Sequence, residues 1–386
     1  MGKWDKVKLE EVCELITDGT HQTPQYTDKG YIFLSSKNVT SGKIDWDNVK
    51  YIPEGLHNEL YKRLKPKKGD ILLAKNGTTG VAALVDRDEI FDIYVSLALL
   101  RPKKGIFAPY LLAVINSPYV KRQFDRSLKG IGVPNLHLKE IKKTVIPIPP
   151  FNIQKHIANT LDKTQEIIDG YKKQHAELDN LIKAVFYEMF QEYYHDKKMQ
   201  KLLREICTFI DYRGKTPEKS NSGIPLITAK NIKNNTFSVE PREFIPKENY
   251  DKVMTRGIPK ANDVIFTTEA PLGNVCRIPK VFSRFAVGQR IIVMQPKKDL
   301  VTSEYLEHAL ASEQFQKEML KRSSGSTVRG IRSKELLQLA ICIPPIHLQL
   351  EFTKIVTKIE EQKTLVKQAI TESEQLFNSL MSEYFE

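Results

Sequence analysis

The 386-residue chain lacks most of the features by which a sequence declares chemistry. No apolar run approaches eighteen residues, so no segment reads as a transmembrane helix. The four cysteines, Cys13, Cys207, Cys276 and Cys342, lie far apart and form no Cys-x-x-Cys pair. That excludes a zinc ribbon or a dithiol redox motif. The eight histidines are scattered, with no His-x3-His pair, so metal catalysis has no support. The segment Met1–Val12 is polar and has no apolar stretch of secretory type. The expectation is a cytoplasmic protein with reduced thiols and no membrane partner.

Cofactor motifs fail as well. Gly214-Lys215-Thr216 could close a phosphate loop, but the glycine needed to open it falls at Phe209. Pro149-Pro150-Phe151 and Pro344-Pro345 follow Ile148 and Ile343, where an amino-methyltransferase needs a polar residue. No glycine-rich dinucleotide fingerprint follows a strand. Asp70 with Lys75 hints at a nuclease cluster, yet in the matching stretch Asp263 is followed by Glu269 rather than a lysine. No catalytic residue and no resident metal are expected.

The sequence does contain itself twice. Ile146-Pro147-Ile148-Pro149-Pro150 with Gln154 returns as Ile341-Cys342-Ile343-Pro344-Pro345 with Gln349. Val12–Ile16 matches Ile206–Ile210, Ser36–Val39 matches Ala229–Ile232, and Gly69–Ile71 matches Asn262–Val264. The offset stays between 193 and 195, too long for a solenoid and right for a duplicated domain pair. Each copy opens with a mixed α/β part. Tyr31–Leu34, Asp70–Leu73 and Tyr94–Leu100 read as strands between turns, and one helix is expected over Pro109–Phe124, with Ser303–Lys321 as its counterpart.

Each copy then closes on a long helix with an apolar seam in steps of four and three. The first seam is Ile157, Leu161, Thr164, Ile168, Tyr171, His175, Leu178, Ile182, Val185 and Met189. The second is Phe352, Val356, Ile359, Lys363, Val366, Ile370, Ser373, Phe377, Leu380 and Tyr384. Two seams on one chain point to an antiparallel coiled coil with pseudo-twofold symmetry. The expected division is 1–150 and 196–345 for the globular domains, 151–195 and 346–386 for the helices. Formal charge divides the same way: +7 and +10 on the domains, −2 and −3 on the helices. Two basic modules on an acidic spacer suit two contacts with a polyanion, nucleic acid first. The competing reading is a two-headed adaptor that binds RNA or protein.

The ordered motifs resemble one family. Thr17–Pro24, Leu34–Val39, Gly69–Leu72 and the Pro-Pro-then-Gln start of a long helix resemble the specificity subunit of type I restriction–modification enzymes. The second copy keeps the order in Asp211–Pro217, Ile227–Ile232, Asn262–Ile265 and Ile343–Gln349. The resemblance implies two target-recognition domains, each reading half of a split, asymmetric site in double-stranded DNA. It also implies helices that fix their spacing and dock two methyltransferase subunits, with restriction (translocase) subunits joining. S-adenosylmethionine, ATP and magnesium would belong to those partners, with no cofactor in this chain.

Base-reading candidates are polar side chains in loops, chosen for guanine or phosphate (Lys, Arg), adenine (Asn, Gln) or hydroxyl contacts (Thr). In the first copy they are His21, Gln22, Thr23, Lys37, Asn38, Lys75, Asn76, Thr78, Thr79, Lys129, Asn135 and His137. In the second they are Arg213, Lys215, Thr216, Lys230, Asn231, Thr268, Glu269, Arg290, Arg322, Ser326, Arg329 and Arg332. Lys37-Asn38 and Lys230-Asn231 occur in both copies, so a role in the fold competes with a role in reading.

Overall fold

A computed structural model describes residues 4–40, 42–77, 79–128, 135–212, 217–325 and 328–386. The chain forms two compact units. Unit 1 is Met1–Lys172 with Lys367–Glu386, and unit 2 is Lys173–Val366. The expected boundaries at 150, 195 and 345 divide the chain in sequence order. In space each unit instead takes one globular domain and a segment of both long helices.

Both units share one plan. In unit 1 an antiparallel four-stranded sheet runs Cys13–Asp18, Leu97–Pro102, Ile71–Ala74, Ala82–Leu84. Beside it lies a sheet of Lys50–Ile52, Tyr31–Leu34 and Phe91–Ile93, the last pair parallel. Unit 2 repeats this with Cys207–Asp211, Ile291–Pro296, Val264–Thr267 and Val275–Arg277, then Phe244–Ile245, Ile224–Ile227 and Ala286–Val287. The central strands Ile71–Ala74 and Val264–Thr267 are buried along their whole length, so they read as continuous apolar runs rather than alternating ones.

The expected single helix is two in each unit: Ala108–Ile115 then Pro118–Ser127, and Ser303–Ala311 then Glu313–Arg322. A buried serine makes the break. Ser117 and Ser312 sit in extended backbone, and each hydroxyl accepts from the amide three residues on, Val120 and Phe315 respectively. Pro118 then occupies the first helical turn, where its missing N–H costs nothing.

The long helices run Phe151–Phe190 and Ile346–Phe385, with a short 3-10 turn at Gln191–His195. Every expected seam position is buried or half-buried. In unit 1, Ile157 and Leu161 share a core with Phe377, Leu380, Met381 and Phe385, and Lys172 pairs with Glu374 at 2.7 Å. In unit 2, Phe186 and Phe190 pack on Phe352 with ring centroids 5.6 and 5.4 Å apart. The half-buried Lys363 on the seam meets Asp179. In each unit, therefore, one end of one helix packs against the opposite end of the other, the antiparallel sense. Phe186, Phe190, Met381 and Phe385 are seam residues that the four-and-three stepping passed over.

The Pro-Pro-then-Gln motif acquires a physical reason. Gln154 is buried; its carbonyl oxygen accepts from Phe107 N at 2.9 Å and its amide donates to Pro149 O at 2.9 Å. Gln349 accepts from Thr302 N at 3.0 Å and donates to Pro344 O at 2.8 Å. Each glutamine locks the start of the long helix to the start of a short one. Tyr110 and Tyr305 add a second lock, donating to Pro147 O and Cys342 O at 2.8 and 2.7 Å. All four thiols are free and buried, and burial pushes Cys13 and Cys207 up to about 12.

Candidate nucleic-acid interface

Each unit has a loop system at one end of its four-stranded sheet. In unit 1 it begins at Gly19. A Cβ there would lie 1.9 Å from Ile93 O, so only glycine lets the chain pass. Beyond it Thr20 bridges to Tyr94, and His21, Gln22 and Thr23 are exposed. Thr23 Oγ1 lies 3.2 Å from Tyr94 OH, and His21 Nε2 lies 3.5 Å from Asp18 Oδ2. Behind this loop Lys75 is buried, its Nζ 2.6 Å from Asp18 Oδ2. Arg63, from the helix Glu54–Arg63, donates to Asp18 O at 2.9 Å.

That geometry corrects several expectations. Lys75 is an internal counter-ion that anchors the loop, not an available DNA contact. Asn38 and Asn231 are buried, and each side chain closes its own turn. Asn38 Oδ1 accepts from Ser35 N at 3.0 Å, and its amide donates to Asp45 O and Asn48 O. Asn231 Oδ1 accepts from Thr228 N at 3.0 Å, and its amide donates to Ser238 O and Pro241 O, both at 3.1 Å. Both are fold residues in each copy, because a buried amide with donors and acceptor engaged has nothing left for a base. Thr268 is also buried, and it, rather than Glu269, stands where unit 1 has Lys75.

Other candidates keep an exposed position: Lys37, Asn135 and His137 in unit 1, and Lys230, Arg290, Arg322, Arg329 and Arg332 in unit 2. Asn76 and Thr79 are half-buried, and the Asn76 backbone bridges to Asn135. Lys230 pairs with Glu243 at 3.0 Å, and Lys219 reaches the same carboxylate at 2.9 Å. Burial opposes the Glu243 charge, but the two lysines outweigh it and hold its pKa below the usual carboxylate range. Arg322 donates to Gln338 O at 3.3 Å, which turns its guanidinium toward its own domain. Thr78, Lys129, Arg213, Lys215, Thr216 and Ser326 lie outside the described residues.

The structure gathers four unit-2 candidates, Thr268, Glu269, Arg290 and Arg332, around one open cleft of about 290 Å³. Gln289, Ser324, Val328, Gly330 and Ile331 also line it, and of these Gln289 lies outside every stretch that loop polarity marked. Ser324 and Gly330 exchange two backbone hydrogen bonds of 2.9 Å, which closes the loop that frames the cleft. Arg290 Nε lies 3.0 Å from Glu269 Oε1. Polar and cationic side chains in an open cleft on a rigid sheet can donate to and accept from a nucleic acid; among the described residues no nucleophile–base pair is assembled there.

Two mixed domains, each followed by a long helix and carrying polar loops at one end of its sheet, define a duplicated α/β scaffold on paired helices. The sequence model of the type I restriction modification DNA specificity domain matches residues 1–180 and again 196–375, and the chain belongs to that family. It is 22% identical to the Escherichia coli type I restriction enzyme EcoKI specificity subunit over 98% of this chain and 85% of that one. It is 28% identical to the MjaVIII specificity subunit of Methanocaldococcus jannaschii, where the match spans 47% of this chain and 44% of the other. The crystal structure of the type I restriction-modification S subunit from M. genitalium superposes with a TM-score of 0.57 at 17% identity. That match covers 100% of this chain and 96% of the other.

Proposed function

We propose that this chain is the DNA-reading subunit of a type I restriction–modification complex. Each unit reads one half of a split, asymmetric target. The long helices set the gap between the halves, and methyltransferase and restriction subunits dock on the chain and bring the catalysis, S-adenosylmethionine, ATP and magnesium. One observation carries this reading: two matches to a DNA specificity domain, on two units with one frame and different loop side chains. The basic balance of 59 Lys and Arg against 47 Asp and Glu suits a polyanionic partner.

The reading is tested by exchange and by extension. Replacing residues 1–145 with the equivalent domain of another such subunit should change one half of the methylated genomic motif and leave the other half alone. Inserting seven residues after Leu178 and seven after Ser373 keeps the seam register and lengthens each helix by about 10 Å. The gap in the motif should then grow, by about three base pairs if the extension lies along the DNA. A complex that still methylates with an unchanged gap removes the helices as the ruler. Both halves changing together on domain exchange removes independent reading.

A further inference from the structure

The cleft of unit 2 holds a contact whose geometry says more than its charges. The same backbone frame surrounds this place in both units. Lys75 N donates to Ser96 O at 2.8 Å, and Thr268 N donates to Arg290 O at 2.9 Å. Leu136 N donates to Lys75 O at 2.9 Å, and Ile331 N donates to Thr268 O at 3.0 Å. Arg290 therefore stands where unit 1 has Ser96, and Glu269 where it has Asn76. Ser96 is buried, and its hydroxyl accepts from Ser36 N at 3.0 Å. Arg290 is an exposed cation on the same frame, held at φ +65°, which a non-glycine residue keeps only where its surroundings enforce it.

Glu269 Oε1 engages Arg290 through Nε, at 3.0 Å, which is a side-on contact. The two Nη nitrogens make no hydrogen bond among the described residues and remain for an end-on contact. Such a fork matches the O6 and N7 acceptors of guanine in the major groove. The carboxylate also argues against a phosphate clamp. An arginine already paired with a carboxylate is electrically neutral as a couple, so its non-specific pull on a polyanion is largely cancelled and directional hydrogen bonding is what remains. Given the DNA-reading role proposed above, we infer that Arg290, oriented by Glu269, reads one guanine in the half-site of unit 2. Glu269 is the positioning residue; its ion pair with Nε restrains the guanidinium from one side.

The test uses the assembled methyltransferase complex and duplexes based on the methylated genomic motif. Each base pair of the unit-2 half-site is replaced in turn, and binding is measured at several fixed salt concentrations. Arg290→Lys keeps the charge and loses the fork, so discrimination at one guanine should fall about tenfold or more while every other position keeps its preference. Glu269→Gln keeps a hydrogen-bond acceptor and removes the charge. It should loosen the same position less and steepen the salt dependence, because the cation is unmasked. If Arg290→Lys weakens all duplexes equally and leaves every preference intact, Arg290 is a phosphate contact and the inference falls. If that variant does not assemble, Glu269→Gln decides: unchanged discrimination with an unchanged salt slope overturns the assignment. A wild-type complex with no preferred sequence would instead overturn the DNA-reading role itself.

Discussion

Unit 1 and unit 2 solve the same folding problem with different interior chemistry. Where the β-hairpin meets the helices, unit 1 places Leu84, Leu112 and Gln165. Unit 2 places Arg277, Glu307 and Glu360 at the aligned positions and adds Glu304. The Arg277 guanidinium is largely buried, 2.7 Å from Glu304 and 2.6 Å from Glu307, and also paired with Glu360. Behind the candidate loops, unit 1 has Lys75 on Asp18, while unit 2 has Thr268 and an Asp211 that accepts from Ser333. Unit 1 alone carries a buried His57–Asp92 pair, 2.7 Å apart; Tyr250 and Ala286 replace it in unit 2. What does not differ is the set of locks: Asn38 and Asn231, Ser117 and Ser312, Tyr110 and Tyr305, Gln154 and Gln349. The frame is held by neutral hydrogen bonds to backbone, which are indifferent to the local charge. Charged pairs have been free to change from one copy to the other. A duplicated scaffold with divergent loops needs that separation, since the loops must change without unfolding it.

The largest expected effect is at Arg277. Arg277→Leu installs the unit-1 residue but leaves three carboxylates facing one another without a cation. Breaking a buried charge network in this way costs about 3–5 kcal/mol. Urea unfolding of the whole chain should show the loss, and Arg277→Leu combined with Glu307→Leu should recover part of it. Equal stability of the single variant and wild type would mean that the network is neutral to the fold.

The locks should give a smaller and symmetrical effect. Asn38→Ala and Asn231→Ala each leave a backbone amide and two carbonyls without their partner, at about 1–3 kcal/mol per unsatisfied buried group. The two variants should destabilise their own units by similar amounts and leave the methylated motif unchanged. A changed motif in either variant would return that asparagine to the reading set.

Asn38 also shows how far the sequence was legible. The duplication, the strand Tyr31–Leu34 and the two helical seams could be read, because each rests on periodicity or on a shared motif, whereas the expected strand Tyr94–Leu100 begins in the turn that separates Phe91–Ile93 from Leu97–Pro102. The break at Ser117 is marked by Pro118, but the one at Ser312 was hidden, since an apolar pattern carries across it and no proline follows. The site was less legible. Loop polarity marks Lys75 and Arg290 alike, yet one side chain turns inward to Asp18 and the other outward beside Glu269. That difference depends on which residue faces each from a strand far away in sequence, and no local pattern encodes it. The ordered motifs marked the family of the chain and nothing about which way individual side chains turn.

The smallest expected effect is a pH dependence at Asp263, whose matched aspartate has a different partner. Asp70 receives a bidentate contact from Arg101, at 2.8 and 2.7 Å. Its counterpart Asp263 meets a neutral amide, Gln295 Nε2, at 2.7 Å, together with Lys260 N at 2.7 Å. Burial raises the Asp263 pKa above the ordinary carboxylate value, and the hydrogen bonds only partly offset it. A carboxyl whose folded pKa is raised favours the folded state in its protonated form. Its contribution is complete below the unfolded pKa, about 4, and is lost as pH rises through the raised value. Unit 2 should therefore lose a little stability across that acidic window. Gln295→Arg gives Asp263 the partner that Asp70 already has, so the pKa should fall toward or below the ordinary value and the loss should disappear. The check is the carboxyl-carbon chemical shift of Asp263 followed through an acid titration of wild type and variant, with the unfolding midpoint measured at the same pH values. If the Asp263 titration is the same in both proteins, the side chain at position 295 does not set its pKa.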